Sequence, residues 1–191
     1  MKLVPTYTLI SFFTVYQDGL VQELAKKGDL DYKKQIARIK GDLKPVFDSV
    51  KTTSLPVEYL MTTKADGNYL LYAKKDQKGY ISLQKKFFEK MGDLAKPDDY
   101  GQAVLALMDA TGNKLTEESA TEALGWLDKL LSSDLDIMSR IRFLAIAGDC
   151  YATLNNSEKA RSCYNQAYTL SFQTGDINFQ VGLQEKLNLL N

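Results

Sequence analysis

The sequence predicts an all-α protein, an antiparallel array of about eight or nine short helices. Three observations carry this. Apolar residues recur at steps of three and four along nearly the whole chain, the period of a helix with one buried face. Strand alternation and Asn-Gly hairpin signals are lacking, although 4–16 and 79–83 carry some β propensity. Short polar or glycine-bearing breaks separate the periodic stretches, as in helices that fold back on their neighbours. We read 1–191 as one domain, with an N-terminal helix or arm (1–28), degenerate helix pairs (29–134), and a more regular repeat plus a C-terminal helix (137–190).

Phe13, Tyr16, Leu20 and Leu24 recur at helical spacing and predict a first helix. The apolar run ahead of it is interrupted by Thr6, Thr8, Ser11 and Thr14 and is too short to span a bilayer. No small-residue cleavage site of a signal peptide precedes Gln17. A membrane is therefore not an expected partner, and 4–16 is at most membrane-proximal. Tyr32, Ile36, Ile39, Leu43, Val46 and Val50 form a narrow apolar seam, with Asp29 and Asp31 suited to the start of that helix. Gly41 and Pro45 lie inside the pattern and predict a kink or break.

Pro56 is suited to open the next helix, which carries Tyr59, Leu60, Thr63, Gly67, Leu70 and Leu71 and ends near Ala73. After "KKDQKG", a helix with Leu83, Phe87, Phe88 and Met91 stops around Gly92. Lys85 and Lys86 read as a solvated face of that helix. Pro97, Asp98 and Asp99 start another, with Val104, Leu107 and Met108 inside and Gly112 available as a left-handed cap. From Thr116 to about Leu131 a stripe of Ala120, Leu124, Leu127 and Leu131 predicts a helix, and Trp126 falls one residue off it, at a boundary or contact surface. "SSDLD" breaks the chain before helices at about 137–154, 157–173 and 176–190.

Composition removes several functions. Twenty-four basic residues cancel twenty-four acidic ones, so the excess positive charge that nucleic acid binding uses is missing. No histidine is present, which takes away the commonest general base and metal ligand. Cys150 and Cys163 do not make a structural zinc site by themselves; two antiparallel helices could bring them near enough for a disulfide, but two cysteines in a chain of this size better suit reduced core fillers. That favours cytoplasm or another reducing compartment. Glu117 with Glu118, and Asp98 with Asp99, suit first helical turns better than acid–base chemistry. No glycine-rich phosphate loop is present, so no catalytic residue, metal or cofactor is expected.

Residues 144–167 carry a specific pattern: Leu144, Ala147, Gly148 and Tyr151, then Ala160, Tyr164 and Ala167. This resembles the tetratricopeptide repeat, a helix–turn–helix unit of about 34 residues in which small residues let paired helices approach and rings fill the gaps. Gly182 follows Gly148 by 34 residues, although Glu185 stands where the family prefers tyrosine. A fainter copy places Gly67, Gly79 and Leu83 at the positions of Gly148, Ala160 and Tyr164. A second resemblance overlaps. "DYKKQIARIKGDLKPVFDSVKTTSLP", "VEYLMTTKADGNYLLYAKK" and "LNNSEKARSCYNQAYTL" are similar to helices of the 14-3-3 family, which reads phosphoserine and phosphothreonine. That resemblance aligns Tyr72 with the family's phosphate-contacting tyrosine, but Leu71 and Ala145 with its arginine and asparagine.

Both resemblances imply a concave groove that holds a peptide or helix. The expected function is a non-catalytic adaptor or assembly subunit with a protein or peptide partner. Arg142, Asp149 and Thr153 are the expected contacts, on the inner face implied by the repeat, with Tyr69 and Tyr72 second. A degenerate phosphopeptide reader and a small helical enzyme using carboxylates or a bound cofactor are the alternatives.

Overall fold

A computed structural model describes residues 17–47 and 57–190, with side-chain surroundings for 17–42 and 59–190. The described residues form nine α-helices and no strand. They are α1 (17–26), α2 (Asp31–Phe47), α3 (Val57–Asn68), α4 (Gln77–Met91), α5 (Pro97–Thr111), α6 (Glu117–Leu131), α7 (Ile137–Thr153), α8 (Ser157–Ser171) and α9 (Ile177–Asn188). A π-helical turn, Tyr69–Ala73, continues α3, and a short 3₁₀ turn, Gly92–Leu94, follows α4. Phe13, Tyr16, Val50, Pro56 and the 4–16 segment lie outside the described residues.

A regular metre emerges from Val57 onward. Helices start at Val57, Gln77, Pro97, Glu117, Ile137, Ser157 and Ile177, each twenty residues after the last. A helix pair therefore occupies forty residues, longer than the tetratricopeptide unit of about 34. Local chemistry keeps this beat. Asp76, Thr116, Asp136, Asn156 and Asp176 each cap a helix by accepting a hydrogen bond from the backbone N–H three residues on. At the α5 start, Asp99 instead accepts from the Lys96 N–H, with Pro97 preset for the first turn. Left-handed residues stand directly before three of these caps: Lys75, Asn155 and Gly175. Each bends the chain out of one helix, and the next residue opens another.

The chain falls into two compact units, Met1–Leu94 and Ala95–Asn191, where the sequence reading treats it as a single domain. In the first unit Val21, Ala25, Tyr32, Ile36, Ile39, Met61 and Ala65 form the core. The buried face of α1 is thus Val21 and Ala25, while Leu20 is 43% exposed, one residue round from the expected Leu20–Leu24 line. The helix α2 runs unbroken through Gly41 and Pro45, so the expected break is absent. So near the helix end, Pro45 removes only the bond to the Gly41 carbonyl. The Tyr32 hydroxyl donates to Asp66, and Asn68 donates to Gln22, tying α3 to α2 and α1. At the α3–α4 junction Tyr80 fills the space beside Gly67, where the repeat comparison had put Leu83. Lys85 and Lys86 are exposed, as expected.

The second unit, α5 to α9, packs each helix on the next in order, most extensively α7 on α8. Ile141, Ala145, Ala160, Tyr164, Ala167, Leu183 and Leu187 form one cluster shared by α7, α8 and α9. Gly148 and Tyr164 interlock: a Cβ at Gly148 would lie 2.5 Å from Cδ1 and 2.9 Å from Cζ of the ring, closer still to Cε1. Gly101 does the same for Phe143, at 3.2 Å from Cζ. The small residue at 148 thus admits a ring from the next helix. Trp126 is 5% exposed and belongs to the core, against the expectation of a boundary position. The buried face of α6 is Ser119, Ala120, Ala123, Trp126, Leu127 and Leu130, so Leu124 and Leu131 sit at its margins.

Candidate functional site

Alternate helices of the second unit line a groove of about 520 Å³. From α5 and its cap come Leu105, Met108, Asp109, Gly112 and Asn113; α7 gives Arg142, Ala145, Ile146 and Asp149. The third wall, α9, contributes Asn178, Phe179, Gly182, Leu183 and Lys186. Lining residues recur at steps of three and four on each helix, so one face of each of α5, α7 and α9 turns to the groove. Its volume lies in the range of sites that take a small ligand or a few large side chains.

The floor is apolar: Leu105, Met108, Ala145, Ile146, Phe179 and Leu183. Gly182 deepens it, because a Cβ there would meet nothing within 4 Å. Charge at one end is already matched. Asp149 accepts from the Tyr164 hydroxyl at 2.7 Å and pairs with Lys186, whose ammonium also lies 5.5 Å from the Tyr164 ring centroid. Burial, followed by the Asp149 hydrogen bond and charge, pushes the Tyr164 phenol well above its ordinary range. This three-residue link joins α7, α8 and α9 and fixes the shape of that wall. Arg142, by contrast, is exposed and has no hydrogen bond or ion pair among the described residues.

The structure therefore brings Arg142 and Asp149 together on the groove wall. Thr153 is not part of the lining; its hydroxyl donates to the Asp149 carbonyl of its own helix at 3.0 Å. Tyr69 and Tyr72 belong to the first unit, in the π-helical turn. Tyr69 lies against Tyr32 with ring centroids 6.0 Å apart, and the Lys26 ammonium sits 4.9 Å from the Tyr72 centroid. The α5 and α9 walls escaped the sequence reading. Shifting the α7 lining by forty residues either way finds Leu105, Asp109, Gly182 and Lys186, so the helix metre was the signal that could have found them.

No group of three or more acidic or cysteine side chains is arranged to hold a metal ion among the described residues. Both cysteines are free thiols. Burial, helped by the neighbouring Asp149 charge, pushes Cys150 up to about 12, and burial also raises Cys163. No helix among the described residues is long and apolar enough to cross a membrane. Compared with protein-family models, with curated proteins and with solved structures, the chain matches none of them.

Proposed function

We propose that the protein is a non-catalytic adaptor or assembly subunit whose second unit holds a peptide or helix of a protein partner in the α5–α7–α9 groove. The observation that carries this is the groove's division of labour: an apolar floor, a rim of Asp109, Asn113, Arg142 and Asn178, and a wall braced by Asp149, Lys186 and Tyr164. Apolar area supplies the association energy, and the rim selects orientation. Arg142 is the rim cation that a partner's carboxylate or carbonyl would engage. Zero net charge and the lack of histidine fit a binding role better than nucleic acid recognition or acid–base catalysis. A phosphopeptide reader is less well supported, since a phosphate dianion is held by several converging cations and Lys186 is committed to Asp149. A reducing compartment such as the cytoplasm suits the two free thiols.

Gly182→Phe tests the reading. The open space at this position admits a ring into the groove while leaving the helix intact. Proteins captured by the wild-type chain and identified by mass spectrometry are expected to be lost by Gly182→Phe and weakened by Arg142→Glu, with unchanged circular dichroism. Equal capture by both folded variants would remove the groove assignment.

A further inference from the structure

We propose that one end of the first unit docks on the surface of a bilayer carrying anionic headgroups. Charge supplies the first argument. The chain is neutral as a whole, yet its two units are not: Met1–Leu94 carries sixteen basic and eleven acidic residues, and Ala95–Asn191 eight basic and thirteen acidic. Much of the first unit's basic charge gathers at one end. Helix α1 and the π-helical turn after α3 finish there, and α2 and α4 begin there. The α1–α2 and α3–α4 connections lie side by side, so that a Cβ at Gly28 would stand 3.2 Å from Cβ of Ala73. Lys26, Lys27, Lys33 and Lys34 flank the first connection, and Lys74, Lys75 and Lys78 the second. The Lys26 ammonium reaches across to the Tyr72 ring, while Lys33 and Lys74 lie 5.7 and 5.5 Å from the rings of Tyr32 and Tyr69, which meet each other. Most acids beside these lysines serve local structure. Asp31 pairs with Lys34 at 2.7 Å, Asp29 accepts from the Asp31 N–H, Asp76 caps α4 and Asp66 accepts from the Tyr32 hydroxyl. Glu23, one turn before Lys27, is the remaining acid and is exposed. Lys26, Lys27, Lys33, Lys74 and Lys75 have no ion-pair partner among the described residues.

Helix chemistry explains part of this cluster. Lys26, Lys27 and Lys74 stand at the C-terminal ends of α1 and of the π-helical turn, where a cation is favoured. Lys33 and Lys78 stand in the first turns of α2 and α4, where the helix dipole disfavours a cation, so a further cause collects them. The rest of the patch selects the partner. Leu30, 55% exposed, sits in the α1–α2 connection among the lysines. A bilayer surface matches both features: anionic headgroups meet the ammonium groups, and the apolar side chain enters the boundary with the acyl chains. Nucleic acid fits less well. Its phosphates have no use for an exposed leucine, and its bases stack on open aromatic faces, whereas Tyr72 and Tyr69 carry Lys26 and Lys74 against their rings. A fixed carboxylate on a folded protein is best matched by a guanidinium fork, and neither connection nor its flanking turns carries an arginine. Lysine ammoniums on flexible stems suit headgroups that are themselves mobile. Docking at the surface needs no spanning helix, and the groove residues all belong to the second unit, so this inference does not rest on the groove.

The experiment is sedimentation of the full chain with phosphatidylcholine vesicles, with and without about one-third phosphatidylserine. The chain should bind the anionic vesicles, leave the neutral ones unbound, and come off as salt is raised. Lys27→Gln combined with Lys75→Gln should weaken binding about tenfold or more, and Leu30→Ser about threefold. All three sites are exposed, so circular dichroism should be unchanged. Arg142→Glu removes the same net charge from the second unit and should leave vesicle binding as it is. Equal sedimentation with neutral vesicles, or wild-type binding by the double lysine variant, would overturn the proposal. An equal loss on Arg142→Glu would overturn it too, by tracing the binding to overall charge. Wild-type binding by Leu30→Ser would remove the apolar contact that selects a bilayer, and so would release of the chain from vesicles by a single-stranded oligonucleotide or polyglutamate at equal anionic charge.

Discussion

Adding one methyl group at Gly148 should destabilise the second unit, and the same change at Gly125 should stabilise it. At 148 the new Cβ would sit 2.5 Å from Tyr164 Cδ1 and 2.9 Å from Cζ, far inside van der Waals contact. The ring has little room to retreat. It is 3% exposed, packed in the α7–α8–α9 cluster, and held at its hydroxyl by Asp149 at 2.7 Å. Overpacking of this kind costs about 1–3 kcal/mol. Stretching a hydroxyl–carboxylate bond adds about 1 kcal/mol or more. Replacing glycine by alanine within a helix returns about 1 kcal/mol. The net expectation for Gly148→Ala is a loss of about 1–3 kcal/mol. Gly125 is exposed on α6 and a Cβ there meets nothing within 4 Å, so only the propensity gain remains, up to about 1 kcal/mol of added stability. Urea unfolding followed by circular dichroism, at constant m, reads both. The test is internal: one substitution, two positions, opposite signs. If Gly148→Ala unfolds at the wild-type midpoint or above it, the interlock of Gly148 with Tyr164 is wrong.

Other consequences follow from the same interior. The Tyr164 phenol is raised from 10.0 by burial first and Asp149 second, so its protonated form is favoured in the fold. Its stabilising contribution is complete below pH 10 and declines as pH rises from there toward the folded value, because the unfolded phenol loses its proton first; Tyr164→Phe should flatten the alkaline loss of stability measured by urea midpoints. Cys150 is fully buried and pushed up to about 12, whereas Cys163 is half-buried, so iodoacetamide at pH 8 should label Cys163 first, read by peptide mass spectrometry; equal rates would contradict the packing of α7 on α8. Asp176 accepts from the Phe179 N–H at 3.0 Å, so Asp176→Ala should cost about 1 kcal/mol and loosen hydrogen exchange in α9 before α7.

Helix limits were legible in the sequence because their causes are local. Pro97 fixes its own φ, Gly112 takes a left-handed turn at φ 56°, and Thr116 caps through its own hydroxyl, so each boundary is written in a few neighbouring residues. The all-helical class followed from the same signals. The buried face of each helix was read less well. In α1 the Leu20–Leu24 line was expected and the contact lies one residue round, at Val21 and Ala25; in α6 Ala120 and Leu127 of the expected stripe are buried, but the face turns toward Ala123 and Trp126 rather than Leu124 and Leu131. Alanine scores weakly as a hydrophobe. Yet in an array of close helices Ala25, Ala65, Ala120, Ala123, Ala160 and Ala167 are all completely buried. Small residues decide how near two helices come, and larger ones then fill what is left.

The groove shows the same division. Arg142 and Asp149 could be placed on one face of α7 from spacing alone, because a helix fixes which of its own residues are neighbours. That Asp149 is bound to Tyr164 and Lys186, that Arg142 has no such partner, and that α5 and α9 supply the other walls depended on residues far apart in the chain. Periodicity and capping act over a few residues, so the sequence by itself determined an array of about eight or nine rods and most of their ends. Packing acts between rods, and only the tertiary structure decided which faces meet, which charges are matched, and which side chains line the groove.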